Sequence, residues 1–224
     1  MKINIFSIWL LSLMALICGI ILIGGYTRIS DSGLSITEWK PILGAFPPIS
    51  DQSWNIEFDK YKQIPEYIMQ NSGMSLSEFK FIYWWEWGQR QLARFIGFVW
   101  FVGLIVLLAK NKIPERWTFY FFGIGLLGAL QAFLGWWMVS SGLDGQVVDV
   151  FSYRLAIHLT MAFIILALIF WAILFHSENS AKIFESRRHR NKVSVNILAG
   201  LGVLCYIQLA LGALVAGIDA GRSY

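Results

Sequence analysis

Charged residues are scarce in this sequence. Asp, Glu, Lys and Arg make up 14% of its 224 residues, where a soluble domain carries about 25%. That shortage, beside 57% hydrophobic and 16% aromatic residues, argues against a soluble enzyme and for a polytopic membrane protein. Cysteine is nearly absent. Cys18 and Cys205 both fall inside apolar runs, where they pack as small hydrophobes and say little about redox compartment. Histidine is almost as rare: His176 and His189 belong to one helix end and its basic loop, and only His158 lies within the membrane. A quinone-linked b-type cytochrome would need its own intramembrane histidine pairs, and this chain has too few. The net charge of +4 comes from residues flanking apolar runs rather than from a patch, so it gives no reason to propose nucleic acid as a partner.

What is present is long uncharged runs. Ile3 to Thr27, Trp117 to Leu143, Leu155 to Ser177 and Val193 to Ile218 each reach the length a spanning helix needs. A fifth run, Phe95 to Ala109, has 15 uncharged residues, short of the ~20 that cross a hydrocarbon core. Its helix must start near Trp84, which draws Gln89, Arg90 and Arg94 into the outer part of the bilayer. There an unpaired charge costs at least about 2.5 kcal/mol, and an ionisable residue is by default a functional candidate. The expected fold is an all-α integral membrane protein: a four-helix transmembrane bundle plus a fifth transmembrane helix, with a long outer segment, 28–83, between the first two spans. The first run is too long for a signal peptide's apolar region and lacks a convincing cleavage site, so it reads as retained. Lys2, Lys110, Lys112, Arg116, Lys182, Arg187, Arg188, Arg190 and Lys192 gather on one side. The positive-inside rule makes that side, with the N-terminus, cytoplasmic.

In the outer segment, Pro41, Pro47 and Pro48 break the first half into extended pieces, and the second half reads as helical. Ser75-Leu76-Ser77-Glu78 is a capping-box pattern, from which an interfacial helix can run into the second span with its tryptophans at headgroup level. A faint internal echo links the end of the first span to that of the fifth: both finish on small residues, an acid and a glycine. Read as a duplication, residues 1–192 form one four-helix unit and residues 193–224 begin a second, incomplete one.

Along the second span, helical spacing sets Glu86, Gln89, Arg90, Ala93, Gly97 and Trp100 on one face, with Arg94 at its edge. Small residues there permit close helix packing or leave a slot for a flat ligand. The fourth span starts from the same outer face with Arg154 and His158. A buried histidine of this kind bonds a neighbouring hydroxyl or carbonyl, or it ligates a metal or haem. Arg90, Arg94 and Arg154 suit an anionic partner such as haem propionates. Lipid phosphates are the plainer alternative.

These residues resemble the haem A synthase family of the proteobacterial and mitochondrial type. The matching stretches are GGYTRISDSGLSITEWKP (24–41), EFDKYKQIPEY (57–67), EFKFIYWWEWGQRQLAR (78–94), YRLAIHL (153–159) and GALVAGIDAG (212–221). The resemblance implies an inner-membrane enzyme of eight helices in two similar halves, which oxidises a ring methyl of haem O to a formyl group for cytochrome oxidase assembly. It implies a first half that takes the substrate haem, with Glu86 as catalytic residue and His158 as an iron ligand, and a second half that binds a haem b. It also implies partners: haem O, the lipid bilayer, haem O synthase, and a separately encoded second half or a further copy of the chain. Two departures stand out. Where the family has Glu-x-x-His, this chain has Glu86-Trp87-Gly88-Gln89, and an amide binds iron poorly. The second histidine pair, and with it the haem b site, is missing from the sequence. The expected function is a haem-modifying oxidoreductase impaired by Gln89 and by truncation; the alternative is a non-catalytic haem-binding or assembly protein.

Overall fold

The computed structural model describes residues 4–143, 147–177, 185 and 191–220. Within them the chain forms α1 (Ile5–Ile29), α2 (Asp51–Tyr61), α3 (Pro65–Met69), α4 (Leu76–Ala109), α5 (Glu115–Leu143), α6 (Ser152–Ser177) and α7 (Lys192–Gly217), with one 3-10 turn at Leu43–Ala45. Five of these, α1, α4, α5, α6 and α7, are long and apolar enough to cross a membrane, as the uncharged runs predicted. The chain is an all-α, multi-pass membrane protein.

Local chemistry fixes the helix starts. Asn4 caps α1 by accepting from the Ser7 amide at 2.8 Å. At α4 the capping box is complete: Ser75 Oγ accepts from the Glu78 amide at 3.4 Å, and the Glu78 carboxylate accepts from the Ser75 amide at 2.7 Å. The 34 residues of α4 reach roughly 50 Å at 1.5 Å per residue, well beyond a ~30 Å hydrocarbon core. Its first turns therefore stand outside the bilayer and carry Phe79, Ile82 and Tyr83, which pack with Trp54, Phe58 and Tyr61 of α2 into an outer core. The expected run from interface into membrane is thus one continuous helix. The sequence reading passed over α2, whose own capping box joins Ser50 and Ser53.

In the membrane, α1 packs against α4 and α6, and α5 packs against the same two. The second and fourth spans thus occupy opposite corners of a four-helix bundle, and α7 lies along α6. The transmembrane core is concentrated at the end where α1 begins and α4 finishes: Phe6, Leu10, Leu13 and Leu107 meet Phe121 of α5 and Ile169 of α6. Two glycines admit the large rings that fill this region. A Cβ at Gly103 would fall inside the Trp9 indole, and one at Gly125 inside that of Trp100. Trp9 also donates to the Val99 carbonyl at 3.0 Å. Gly103→Ala is expected to expel Trp9 and cost about 1–3 kcal/mol, the usual range for an overpacked core. Thermal unfolding in detergent micelles measures this, and an unchanged midpoint would refute it.

Lys110, Lys112 and Lys192 lie at the same end of the bundle as Asn4 and His176, whose side chains meet at 3.3 Å. Lys2, Lys182, Arg187, Arg188, Arg190 and His189, with the side chain of Arg116, lie outside the described residues.

Candidate functional site

The end of the bundle opposite the apolar core holds most of the candidate residues. Glu86, on the turn of α4 that enters the membrane, is 3% exposed and fully engaged. Its Oε2 accepts from Ser35 Oγ at 2.6 Å and from the Ile36 amide at 2.8 Å, and its Oε1 accepts from Arg90 Nη2 at 2.6 Å. Distances this short mark charge-assisted bonds, and all three donors converge on the carboxylate. The geometry presents a buried Glu86–Arg90 ion pair at the outer end of α4.

The shelf that carries Ser35 and Ile36 follows α1 directly. It turns out of the helix at Asp31, which takes φ 47°, and Leu34 seats against Gly142 of α5. Nothing in the sequence pointed to this shelf's role, since Ser35 lies 51 positions from Glu86.

The helical face drawn from spacing is divided among three neighbours. Glu86 and Arg90 meet the shelf, where Arg90 Nη2 also donates to the Ile36 carbonyl at 3.1 Å. Gln89 turns to α1: its Oε1 accepts from Thr27 Oγ1 at 2.9 Å, and a Cβ at Gly24 would stand 3.0 Å from its Nε2. Trp100 crosses to Gly125 of α5. Between them Ala93 and Gly97 are exposed, and a Cβ at Gly97 would meet nothing within 4 Å. Arg94 lies on the outer segment, with Nε donating to the Pro41 carbonyl at 2.9 Å and Nη2 to that of Lys40 at 3.1 Å. Its Nη1 is buried without a partner.

His158 stands on α6, at the corner opposite α4. Its ring rests on Gly135 of α5, where a Cβ would lie 2.9 Å from Cε1. Gln131 spans the same pair of helices, placing Nε2 3.4 Å from His158 Nε2 and 3.1 Å from the His158 carbonyl. Gln131 thus acts as an interhelical hydrogen-bonding group. His158 Nδ1 and Gln131 Oε1 are buried with no partner, an uncommon condition for polar atoms. Arg154, one turn earlier, stacks its guanidinium over Trp137 at 4.5 Å and donates through Nη1 to the Trp137 carbonyl at 2.6 Å and to Ser140 at 3.2 Å. The three arginines share an end of the bundle without sharing one target: two hold outer-segment carbonyls and the third holds the end of α5.

These residues fit a haem in part. A neutral imidazole with an unpartnered ring nitrogen is a sound axial ligand, and Gly135 clears space around it. A second protein ligand is not offered by Gln89, whose amide is committed to Thr27. Among the described residues no cluster of three or more His, Cys, Asp or Glu side chains could hold a metal ion.

Two clusters escaped the sequence reading. Arg28, at the end of α1, pairs with Asp31 at 3.3 Å, Asp149 at 3.2 Å and Asp219 at 2.9 Å, and donates to the Ala216 carbonyl at 3.0 Å. Asp31 and Asp219, the acids of the internal echo, both adopt positive φ, 47° and 50°. Burial pushes the Asp149 carboxyl above its usual range while Arg28 opposes the shift. The other cluster is Glu66, 3% exposed, which accepts from the Tyr61 hydroxyl at 2.7 Å and from Asn71 Nδ2 at 3.3 Å.

The family model of the cytochrome oxidase assembly protein COX15-CtaA matches residues 7–224. A heme A synthase of Dinoroseobacter shibae is 53% identical over 217 residues, covering 97% of this chain and 57% of the relative. Heme A synthases of Cereibacter sphaeroides and Paracoccus denitrificans are each 49% identical over 217 residues, again 97% of this chain, with 56% and 57% of the relative covered. The chain thus spans about half the length of the curated relatives it matches. No solved structure matches it.

Proposed function

The chain belongs to the COX15-CtaA family of cytochrome oxidase assembly proteins, and on that premise we propose that it forms the substrate-haem unit of a haem A synthase-like membrane oxidoreductase. The substrate is haem O, and the reaction oxidises one ring methyl to a formyl group. The observation that carries this reading is the buried Glu86 carboxylate, locked by Ser35, Ile36 and Arg90, at the corner of the bundle opposite His158.

In this reading His158 would hold the iron through its imidazole, and the bound haem would supply the iron and the reacting methyl. Glu86 stabilises positive charge that develops at the methyl carbon, a role suited to a preorganised anion. Arg90 holds Glu86 in place. Arg94 and Arg154 each have N–H groups beyond their carbonyl bonds, since guanidinium has five, and these are the candidates for propionates. Water supplies the formyl oxygen, and the four electrons and four protons removed from the methyl and the water leave to an acceptor outside the described residues. We assign residues 1–192 to this unit and 193–224 to the start of a second, with the N-terminus cytoplasmic and residues 28–83 on the outer face of the inner membrane.

One observation favours a second reading, a non-catalytic haem-binding or assembly protein: Gln89 stands where the family resemblance calls for a ligand, and its amide is turned to Thr27. Purified full-length chain loaded with haem O separates the two. Five-coordinate haem with haem A formed under turnover supports the enzyme, and the same spectrum without haem A supports the binding protein. His158→Ala is expected to weaken haem binding by more than the roughly 10- to 100-fold lost when only a ligand's supporting bond is removed. Gln89→His should convert the spectrum to six-coordinate, low-spin character. Haem that stays bound in the His158 variant would sink both readings.

A further inference from the structure

Residues 40–49 connect the Ser35 shelf to α2 and carry an unusual density of bare apolar side chains. Ile42 is 81% exposed, Leu43 74%, Phe46 77% and Ile49 88%. The chain is not out in water there, as its attachment to α4 shows. Counting outward from Lys110, the uncharged run 95–109 covers roughly 22 Å at 1.5 Å per residue, so a ~30 Å hydrocarbon core reaches about to Arg90. Gln91 and Arg94 thus lie just inside its outer edge, and these two side chains hold the segment. Gln91 Nε2 donates to the Gly44 carbonyl at 3.1 Å, and Arg94 donates to those of Pro41 and Lys40 at 2.9 and 3.1 Å. Gly44 allows the approach, since a Cβ there would stand 3.1 Å from Arg94 Nη2.

A second, independent observation concerns the backbone. Irregular chain at membrane depth is tolerated where protein meets its polar groups. Here the Gly44, Ala45 and Phe46 amides donate to the carbonyls of Lys40, Ile42 and Leu43 at 3.0, 3.1 and 3.3 Å. Pro41, Pro47 and Pro48 have no N–H to satisfy. These bonds and the prolines meet part of the segment's backbone, and its apolar side chains stay largely exposed, with Leu43 and Phe46 also bordering a cleft beside Arg90 and Arg94.

We propose that residues 42–49 form a re-entrant turn inserted in the outer leaflet, where Ile42, Leu43, Phe46 and Ile49 lie among phospholipid acyl chains and Gln91 and Arg94 fix its depth. The segment adjoins α4 through Gln91 and Arg94, and in this placement it anchors the shelf that holds Glu86 to the bilayer. It holds whether or not the chain turns over haem.

The test uses the full chain in phosphatidylcholine nanodiscs containing a phospholipid with a diazirine in its acyl chain. On illumination, residues 42–49 are expected to be labelled as strongly as the outward face of α7, around Leu201 and Leu204, with α2 unlabelled. Labelling no greater than that of α2 overturns the proposal. A spin label at Phe46→Cys or Ile49→Cys, with both Cys18 and Cys205 replaced by alanine, gives a reading independent of photochemistry. Collision with oxygen should match a Leu204→Cys control, and collision with a water-soluble nickel chelate should fall well below a Lys62→Cys control. Nickel access at the Lys62 level places the turn in water, and shielding from both reagents means that protein covers it; either overturns the proposal. Adding Gln91→Leu and Arg94→Met should release the label to nickel, and an unmoved label removes the anchoring role.

Discussion

Replacing Glu86 with leucine is expected to destabilise the outer end of the bundle by about 3–5 kcal/mol, the cost of breaking a buried ion pair from one side. The carboxylate meets Arg90, Ser35 and the Ile36 amide at 2.6, 2.6 and 2.8 Å. Without it a guanidinium at the edge of the hydrocarbon keeps, among the described residues, the Ile36 carbonyl, and a hydroxyl and an amide are left buried and unpaired. Glu86→Gln preserves shape and an acceptor, so it should cost less in stability. In haem O turnover, however, it should lose roughly 10²- to 10³-fold, as removal of one preorganised electrostatic group does. The pair Glu86→Leu with Arg90→Met should recover much of the thermal stability, because an apolar pair replaces a desolvated ionic one. It should recover none of the turnover. Thermal unfolding beside chromatographic assay of haem A measures both. Additive losses in the double variant would show that Glu86 and Arg90 do not act as a pair.

Raising the pH from 5 to 8.5 is expected to loosen the outer segment by a few kcal/mol, and Glu66→Gln should abolish most of the effect. Burial pushes the Glu66 carboxyl up to about 8 from 4.5; Glu86, Asp149 and Asp31 add repulsion, and the Tyr61 hydroxyl bond partly opposes it. The folded form therefore keeps a proton that the unfolded chain releases near its ordinary value. Between those limits the folded state binds more protons, so stability falls as pH rises from about 4.5 to about 8 and levels off beyond. Each unit of difference corresponds to about 1.4 kcal/mol. Proteolysis of residues 51–83 in the wild type should accelerate across that window. The glutamine of the Glu66→Gln variant, neutral throughout, should leave the rate flat and make the variant the more stable form at pH 8. A flat wild-type profile, or a slope kept by the variant, would refute the assignment.

The membrane spans were legible because each is an uncharged run with Lys or Arg at one end and a charged residue at the other, and the start of α4 was legible because its cap lies within four residues of sequence. The partners of the arginines were not. Arg94 takes the carbonyls of residues 40 and 41, and Arg154 that of Trp137; backbone acceptors have no residue type, so composition cannot point to them. Gln89 was marked as the departure from the family pattern, but its bond to Thr27 joins positions 62 apart. Nothing in its stretch of sequence sets Glu66 apart, and only the fold of α2 and α3 buries it. His158 was found because it is the one histidine deep in a span.

Arg28 gives the protein an order of construction. One of its partners, Asp31, leaves the ribosome almost with it, whereas the Ala216 carbonyl follows 188 residues later. At about 5–20 residues per second, the newborn chain waits roughly ten to forty seconds before the last ties of this cation exist. Until then the first span is held at that end by Asp31, by the Thr27–Gln89 bond to α4 and by Asp149, and insertion of α7 acts as the latch. A substitution at Asp219 should accordingly register as lower yield from the membrane insertion machinery before it registers as any change in the finished molecule.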